Sequence, residues 1–329
     1  MLTCHAVSSV ILSYNVPKKL LVCVSSLLAQ PEIKEIILIE NHSKVNMDMA
    51  YARIRTMCED SGVDFVFYRP EHALSFSDGQ NWGIDHATHD LILLMNNDAM
   101  ILEGNSLTSS ISLITDDVYI VGHKIINPDG TYNHMGIFFD GITKYTDHLG
   151  RGCTGISCVQ RPVFAVTAAC MLLKKSQIRF DTHYWFEYED MDFCLQHIRS
   201  GKKIVCNAAM TVLHEESSTR AEPQATNKVW QEKQRVGQAY FYKKWRWFLM
   251  LRTWRVLTQW PLLPDAYKAH LRQTIGDVVG SVTCVGILVA LEWRVSDLGW
   301  AVVVLQIFSL GIVFIVSKVL VVFFLKKLT

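Results

Sequence analysis

Three polar residues stand at the exits of apolar runs in the N-terminal two-thirds of the chain. Asp98 closes Leu91-Ile92-Leu93-Leu94-Met95-Asn96-Asn97, and Asp190 sits in Phe186-Glu187-Tyr188-Glu189-Asp190-Met191-Asp192. His214 follows Ala208-Ala209-Met210-Thr211-Val212-Leu213. Acidic and imidazole groups at the ends of buried elements can converge on one rim. There a divalent cation would neutralise an anionic leaving group, and a carboxylate would take the proton of an attacking hydroxyl. That chemistry points to transfer of a sugar from an activated nucleotide donor. Taken singly, Asp98 reads equally as a turn or helix cap and His214 as a core histidine. The acidic cluster alone reads as a helix start favoured by the dipole.

The elements that must position these residues follow a regular rhythm. Val10-Ile11-Leu12, Ile36-Ile37-Leu38-Ile39, residues 63–68 and residues 91–95 predict strands. Amphipathic segments at 20–28, 47–58 and 80–87 predict the helices between them. This alternation predicts an α/β fold with a mostly parallel central sheet flanked by helices. Ligands of such sheets bind at the carboxyl ends of the strands, where Asn15, Glu40 and Asp98 all fall. The chain has no G-x-G-x-x-G and no P-loop, which removes direct support for a dinucleotide-dependent dehydrogenase or an NTPase.

The 329 residues suffice for one large domain and an appendage, and a net charge of +1 gives no electrostatic case for nucleic acid. The 9 cysteines form no C-x-x-C pair, and Cys23, Cys170 and Cys206 lie within apolar runs. That usage predicts a reducing compartment rather than a disulfide scaffold. The first residues carry no basic segment and no long apolar run of a signal peptide, so the N-terminal domain is expected in the cytosol.

The last part of the chain has a different composition. Residues 300–325 carry a single charge, Lys318, and a helix there would span a bilayer with some tilt. Residues 278–293 form a weaker apolar stretch with Gly280, Gly286 and Glu292. Joined by the short connector 294–299, the two predict a transmembrane helical hairpin; a buried hairpin in a soluble domain is the alternative. Lys326 and Lys327 after it, and Arg252, Arg255, Lys268 and Arg272 before it, place both ends on the cytoplasmic side. Upstream, Trp245, Trp247, Trp254 and Trp260 interleave with Lys243, Lys244, Arg246, Arg252 and Arg255. Such a segment suits the headgroup layer of membrane lipids, or equally a core helix with a solvated basic face. The expected organisation is a catalytic domain at 1–235, a Trp/Arg-rich interfacial linker at 236–272 and the hairpin at 273–329.

An ordered set of motifs from Val10 to Ser218 resembles inverting family-2 glycosyltransferases of the GT-A fold, in their rhamnosyltransferase-like branch. Ser13-Tyr14-Asn15 ends the first strand, and Ser26-Leu27-Leu28-Ala29-Gln30 follows. Glu40-Asn41-His42-Ser43 stands where the family has Asp-Asn-x-Ser, and residues 75–83, with Asn81, resemble its glycine-rich N-x-G segment. Asn96-Asn97-Asp98 matches the branch's variant of the D-x-D metal motif. Turns at Asn127-Pro128-Asp129-Gly130 and Phe180-Asp181 fall where the branch has them. Glu189-Asp190-Met191-Asp192-Phe193-Cys194-Leu195 matches its E-D-x-D-x-x-L signature, and Val212-Leu213-His214 its downstream histidine. Glu40 departs from the usual aspartate, Ala168 from a glycine, and Ser75 and Asp78 interrupt further glycine positions.

The resemblance implies a GT-A nucleotide-sugar-binding fold and a divalent cation, Mg²⁺ or Mn²⁺, held by Asp98 and His214. It implies Asp190 as the base and Glu189 as a neighbour that holds acceptor or phosphate. Ser13, Tyr14, Asn15, Glu40, Asn81, Asn96 and Asn97 are then the donor-binding residues. Asp190 and Asp192, two apart on a helix, do not share a face, so Asp192 is expected to cap or brace. The implied donor is a dTDP- or UDP-linked sugar, with rhamnose leading. The implied acceptor is a lipid-linked glycan of a surface polysaccharide such as O-antigen or capsule, at the cytoplasmic face of a bacterial inner membrane. Two other readings stay open: a polyprenyl-phosphate glycosyltransferase, and a catalytically silent membrane scaffold that keeps the fold.

Overall fold

The apolar runs that open the chain become neighbouring strands, and their common direction brings all their polar exits to one edge. The computed structural model describes residues 5–140, 145–154, 160–184, 187–214 and 228–250. These fall within one compact unit, Met1–Leu257, while a second unit, Thr258–Thr329, lies outside the described residues. In chain order the first half runs β1 (Val7–Ser13), α1 (Pro17–Leu28), β2 (Ile33–Glu40), α2 (Asp48–Ser61), β3 (Asp64–Tyr68), α3 (Phe76–His86), β4 (Leu91–Met95), β5 (Ala99–Ile101), α4 (Thr108–Ile111) and β6 (Val118–Ile126). The second half runs β7 (Tyr132–His134), β8 (Ile137–Asp140), β9 (Tyr145–His148), β10 (Arg161–Pro162), β11 (Cys170–Lys174), α5 (Glu189–Arg199), β12 (Lys203–His214) and α6 (Lys228–Met250).

The main sheet has the order β10-β12-β6-β11-β4-β1-β2-β3, with β5 on β12 and β7 on β6. Strands β4, β1, β2 and β3 are parallel, as their alternation with helices predicts. The other half corrects the expectation of a mostly parallel sheet. Strand β11 enters antiparallel between β4 and β6, pairing Cys170 with Met95, and the whole is a mixed sheet. Its run Cys170-Met171-Leu172-Leu173 is buried throughout, and a buried apolar run carries no mark of direction. Strand β12 runs parallel to β6 but slips register between Asn207 and Thr211. This bulge re-aims its end so that Val212, Leu213 and His214 pair with β5.

Helix α3 packs on β1 through two glycines. A Cβ on Gly83 would stand 2.2 Å from Val10 Cγ1, and one on Gly79 would stand 2.7 Å from Leu12 Cδ1. These glycines allow close helix–strand packing. Ser75 and Asp78, which replace further glycines, build the helix N-cap: the Asp78 N–H donates to Ser75 Oγ at 3.1 Å.

Helix α6 crosses the boundary set at 235/236 from the sequence. Gly237, Phe241, Trp245 and Leu249 form its buried stripe at a spacing of four, while Lys243, Arg246 and Trp247 are exposed. Residues 240–250 of the Trp/Arg segment thus combine a core face with a solvated basic one; residues 251–272 and the expected hairpin lie outside the described residues. Among the described residues no helix is long and apolar enough to cross a membrane.

The stripe of α6 ends on Asp192, which is wholly buried. Its carboxylate accepts Trp245 Nε1 at 2.5 Å, Tyr184 OH at 3.1 Å, Gln196 Nε2 at 2.7 Å and Lys244 Nζ at 3.0 Å. Lys244 also donates to Asp181 at 2.7 Å. Burial pushes the Asp181 carboxyl up, but the bonds from Lys244, His183 and Tyr240 outweigh it and hold it well below the carboxylate range. That contribution to stability is present above the unfolded carboxylate pKa and is lost as pH falls through the folded one.

Two measurements test this packing. Gly83→Ala should lower the urea-unfolding free energy by about 1–3 kcal/mol, because the added methyl would overlap the buried Val10 side chain and force a shift. Lys244→Met, which strips a buried acid of its cation, should lower it by about 3 kcal/mol at neutral pH, with the loss shrinking in acid.

Candidate active site

The carboxyl ends of β1, β2, β3, β4, β6 and β12 share one edge of the sheet, and the candidate residues lie along it. Between β4 and β5 the chain turns through Asn96-Asn97-Asp98, with the Ala99 N–H bonded to Asn96 O at 3.1 Å. Because β12 pairs antiparallel with β5, His214 lies opposite Ala99 and meets the preceding aspartate. His214 Nε2 stands 3.2 Å from Asp98 Oδ1 and 3.3 Å from Asn96 Nδ2. As an N–H, Nε2 donates to the Asp98 carboxylate; as a lone pair, it can accept from the Asn96 amide and join Asp98 on a shared cation. Two donors about 2.1 Å from one octahedral cation stand roughly 3 Å apart, so the pair suits adjacent ligand positions. Among the described residues no group of three or more His, Cys, Asp or Glu side chains could hold a metal. The fit is therefore to a cation whose remaining positions are filled by substrate oxygens.

Asp190, half-buried, occupies the first turn of α5. Its Oδ1 accepts the Met191 N–H at 2.7 Å and its Oδ2 the Ala168 N–H at 3.4 Å, and the Thr167 hydroxyl also bonds to it. Burial nevertheless pushes the carboxyl up to about 6, and the nearby Glu187 carboxylate acts in the same direction. A carboxylate poised there suits a proton acceptor working near neutrality. Glu189 is buried at the first position of α5. Asp192 faces away into the α6 network, as the two-residue spacing implies.

Residues 167–169 join these two parts of the rim. Ala168 bonds to Asp190 through its N–H, while Ala169 accepts the Asn96 N–H on its carbonyl at 3.0 Å. Gly122 makes room for this strap, since a Cβ there would lie 2.3 Å from Val166 Cγ1.

Backbone strain gathers at the same edge. The described non-glycine residues with positive φ are Asn15, Val16, His42, Glu187 and Tyr188. The first two follow β1, His42 follows β2, and the last pair leads into α5. Such conformations cost of order 1–3 kcal/mol each and persist where surrounding contacts impose them.

The ends of β2 and β3 and the loop that follows β2 border a cleft of about 450 Å³ lined by Glu40, Ser43, Lys44, Asn46, Asp48 and Arg69, among others. Glu40 Oε1 accepts the Ser43 N–H at 2.7 Å, and Oε2 lies 3.2 Å from Arg69 Nε. Burial pushes the Glu40 carboxyl up, but the Ser43 and Arg69 contacts prevail and lower it. Ser13 is fully buried, with Oγ 3.3 Å from Tyr51 OH. Asn15 braces the two loops, taking the Lys44 N–H at 2.8 Å and donating its own N–H to Ser43 Oγ. Asn97 donates to Tyr14 O at 3.0 Å, tying the 96–98 turn to the end of β1.

Asn81 does not join the rim set through its amide. Both of its polar groups hold the Phe180 backbone, at 2.9 and 2.8 Å, so it ties α3 to the segment before α5. Sequence reasoning missed Thr167, Ser43 and a buried histidine pair, His134 and His148. Ser43 closes the Glu40-Asn41-His42-Ser43 motif, where it carried no role of its own; the other three belong to no spaced motif, and the fold alone brings them into contact.

The comparisons agree with this architecture. The relative "O-antigen biosynthesis protein RfbC" of Myxococcus xanthus is 26% identical over 219 residues, covering 62% of this chain and 17% of that protein. The chain thus spans a small fraction of that relative's length. Among solved structures, GalNAc-T7 with UDP, GalNAc and Mn²⁺ superposes with a TM-score of 0.55 at 12% identity, covering 80% of this chain and 59% of that one. The mannosyltransferase PcManGT from Pyrobaculum calidifontis, in complex with GDP-Man and Mn²⁺, gives 0.50 at 12% identity, covering 95% and 86%. At such identities the likeness is one of fold. The glycosyl transferase family 2 profile matches residues 8–176, just over half of the 329 residues, and the chain belongs to that family.

Proposed function

We propose that this protein is a divalent-cation-dependent, inverting glycosyltransferase. It moves a sugar, with rhamnose the leading choice, from a dTDP- or UDP-linked donor to a lipid-linked glycan during surface-polysaccharide assembly. The observation that carries this reading is the strap at 167–169, which bonds to the Asp190 carboxylate and to the Asn96-Asn97-Asp98 turn at once. In the proposed reaction Asp190 takes the proton of the acceptor hydroxyl as its oxygen bonds to the anomeric carbon. The bond from that carbon to the diphosphate breaks with inversion. A cation held by Asp98 and His214 would supply the positive charge that stabilises the departing diphosphate. The cleft beside Glu40 takes the nucleoside end of the donor.

The name of the Myxococcus relative supports a role in O-antigen assembly, and the Mn²⁺ present with UDP and GalNAc in one solved structure and with GDP-Man in the other supports the cation and donor class. The apolar stretches after residue 273 support an anchor in the bacterial inner membrane with the catalytic domain on the cytoplasmic face. Anchoring there raises the effective concentration of enzyme near a lipid-linked acceptor.

A thermal-shift screen of dTDP-rhamnose, UDP-glucose, UDP-GlcNAc and GDP-mannose with Mn²⁺ should single out one donor, since binding to the native state raises the melting temperature. Asp98→Ala should weaken that Mn²⁺-dependent shift, and chelation by EDTA should erase it. Asp190→Asn should cut transfer by about 10²–10⁴-fold with the shift retained. Because the base must be ionised, kcat/KM should fall about tenfold per pH unit below about 6. Near-normal turnover in Asp190→Asn would refute the assignment of the base, and a donor shift without any turnover in the native protein would favour the silent scaffold.

A further inference from the structure

His134 ends β7 and is wholly buried. Two backbone N–H groups point at its Nε2, from Gly136 at 3.1 Å and from Thr167 at 3.4 Å. A ring nitrogen that receives N–H donors must present its lone pair, so the proton of the neutral ring sits on Nδ1. That Nδ1 is buried and has no hydrogen-bond partner. Edge-on beside it lies His148, with ring centroids 4.7 Å apart and planes at 81°, and its Nδ1 is also buried without a partner. Among the contacts of the His134 ring, those to the backbone therefore run through Nε2.

Nε2 leads from the buried ring to the candidate site. Thr167, whose N–H it receives, opens the strap at 167–169. The next residue gives its N–H to Asp190, and the one after that receives the N–H of Asn96. The titratable and charged groups acting on His134 are His148, Arg151, His123 and His214. Burial first, and then their like charge, hold the imidazole well below its ordinary value, so the lone pair persists at working pH. Around Asp190 the corresponding groups are Glu187, Cys194 and its neighbours Glu189 and Asp192.

We propose that His134 is a positioning residue for sugar transfer. As the neutral Nδ1–H tautomer it fixes the Thr167 amide, and through the strap it sets both the hydrogen bonding of the base and its spacing from the 96–98 turn. This rests on the reading of Asp190 as the base.

The test uses the full chain and three variants, with pH profiles measured on the nucleotide sugar selected by the thermal-shift screen plus Mn²⁺. His134→Leu should lower kcat by about 10–100-fold, since small misplacements of a reacting group carry that penalty. It should leave the donor KM within about twofold and move the acid limb to higher pH, because Asp190 loses hydrogen bonds to its charged form. His134→Gln, whose side-chain oxygen can accept where Nε2 did, should return the limb to its native position. A ¹⁵N spectrum of histidine-labelled native protein, assigned with the Gln variant, should show the proton on Nδ1 and not on Nε2. A proton on Nε2, an unmoved limb in His134→Leu, or a Gln variant as impaired as the Leu variant overturns the proposal. If His134→Leu does not fold, the Gln profile and the native spectrum decide. Retained turnover in Asp190→Asn overturns the underlying reading instead, whereas an inactive Asp190→Asn beside a normal His134→Leu overturns this inference alone.

Discussion

The geometry of the rim depends on the direction of one buried strand. Because β11 runs antiparallel to β4, with Cys170 opposite Met95, the residues that precede it emerge where β4 ends. In a wholly parallel sheet those residues would lie at the far edge, out of reach of Asp98. The reversal instead places three consecutive backbone positions against the candidate proton acceptor, the 96–98 turn and a buried histidine. Backbone hydrogen bonds fix separations more firmly than long side chains can, so the spacing of the reacting parts is a property of the sheet. The β12 bulge does similar work, turning His214 onto β5 and hence onto Asp98.

Asp190 and Asp192 show how environment divides two identical side chains. One lies on the rim with only backbone and hydroxyl donors, and burial raises its pKa. The other is wholly buried but meets an ammonium, an indole and a phenol. The first is left ready to change its protonation state, and the second is committed to structure. In the cleft beside β2, the Ser43 and Arg69 contacts lower the Glu40 carboxyl against the effect of burial.

Much of this was legible in the residues. The parallel strands β1 to β4 and their helices follow from periodicity, and polar residues at strand exits mark the rim. The resemblance implied that Asp98 and His214 share a cation; in the fold His214 Nε2 lies 3.2 Å from Asp98 Oδ1. The direction of β11 was not legible, because a strand buried on both faces looks the same either way. Asn81 misled because an N-x-G segment names a residue without saying where its amide points; here it turns to the Phe180 backbone. The buried histidine pair left no trace in spacing, since His134 and His148 come from separate hairpin strands that only the fold brings together.

Helix α6 also grips the strained entry to α5. Gln234 donates to Glu187 at 2.6 Å, and the Phe241 ring lies 5.2 Å from that of Tyr188, the two residues held at positive φ. The entry to α5 is thus held in part by residues that composition alone assigns to the membrane linker. A form cut at residue 235 would keep Gln234 but lose Phe241, Lys244 and Trp245 together, and with them the aromatic half of the clamp. An enzyme trimmed for biochemistry must carry its tail through Met250.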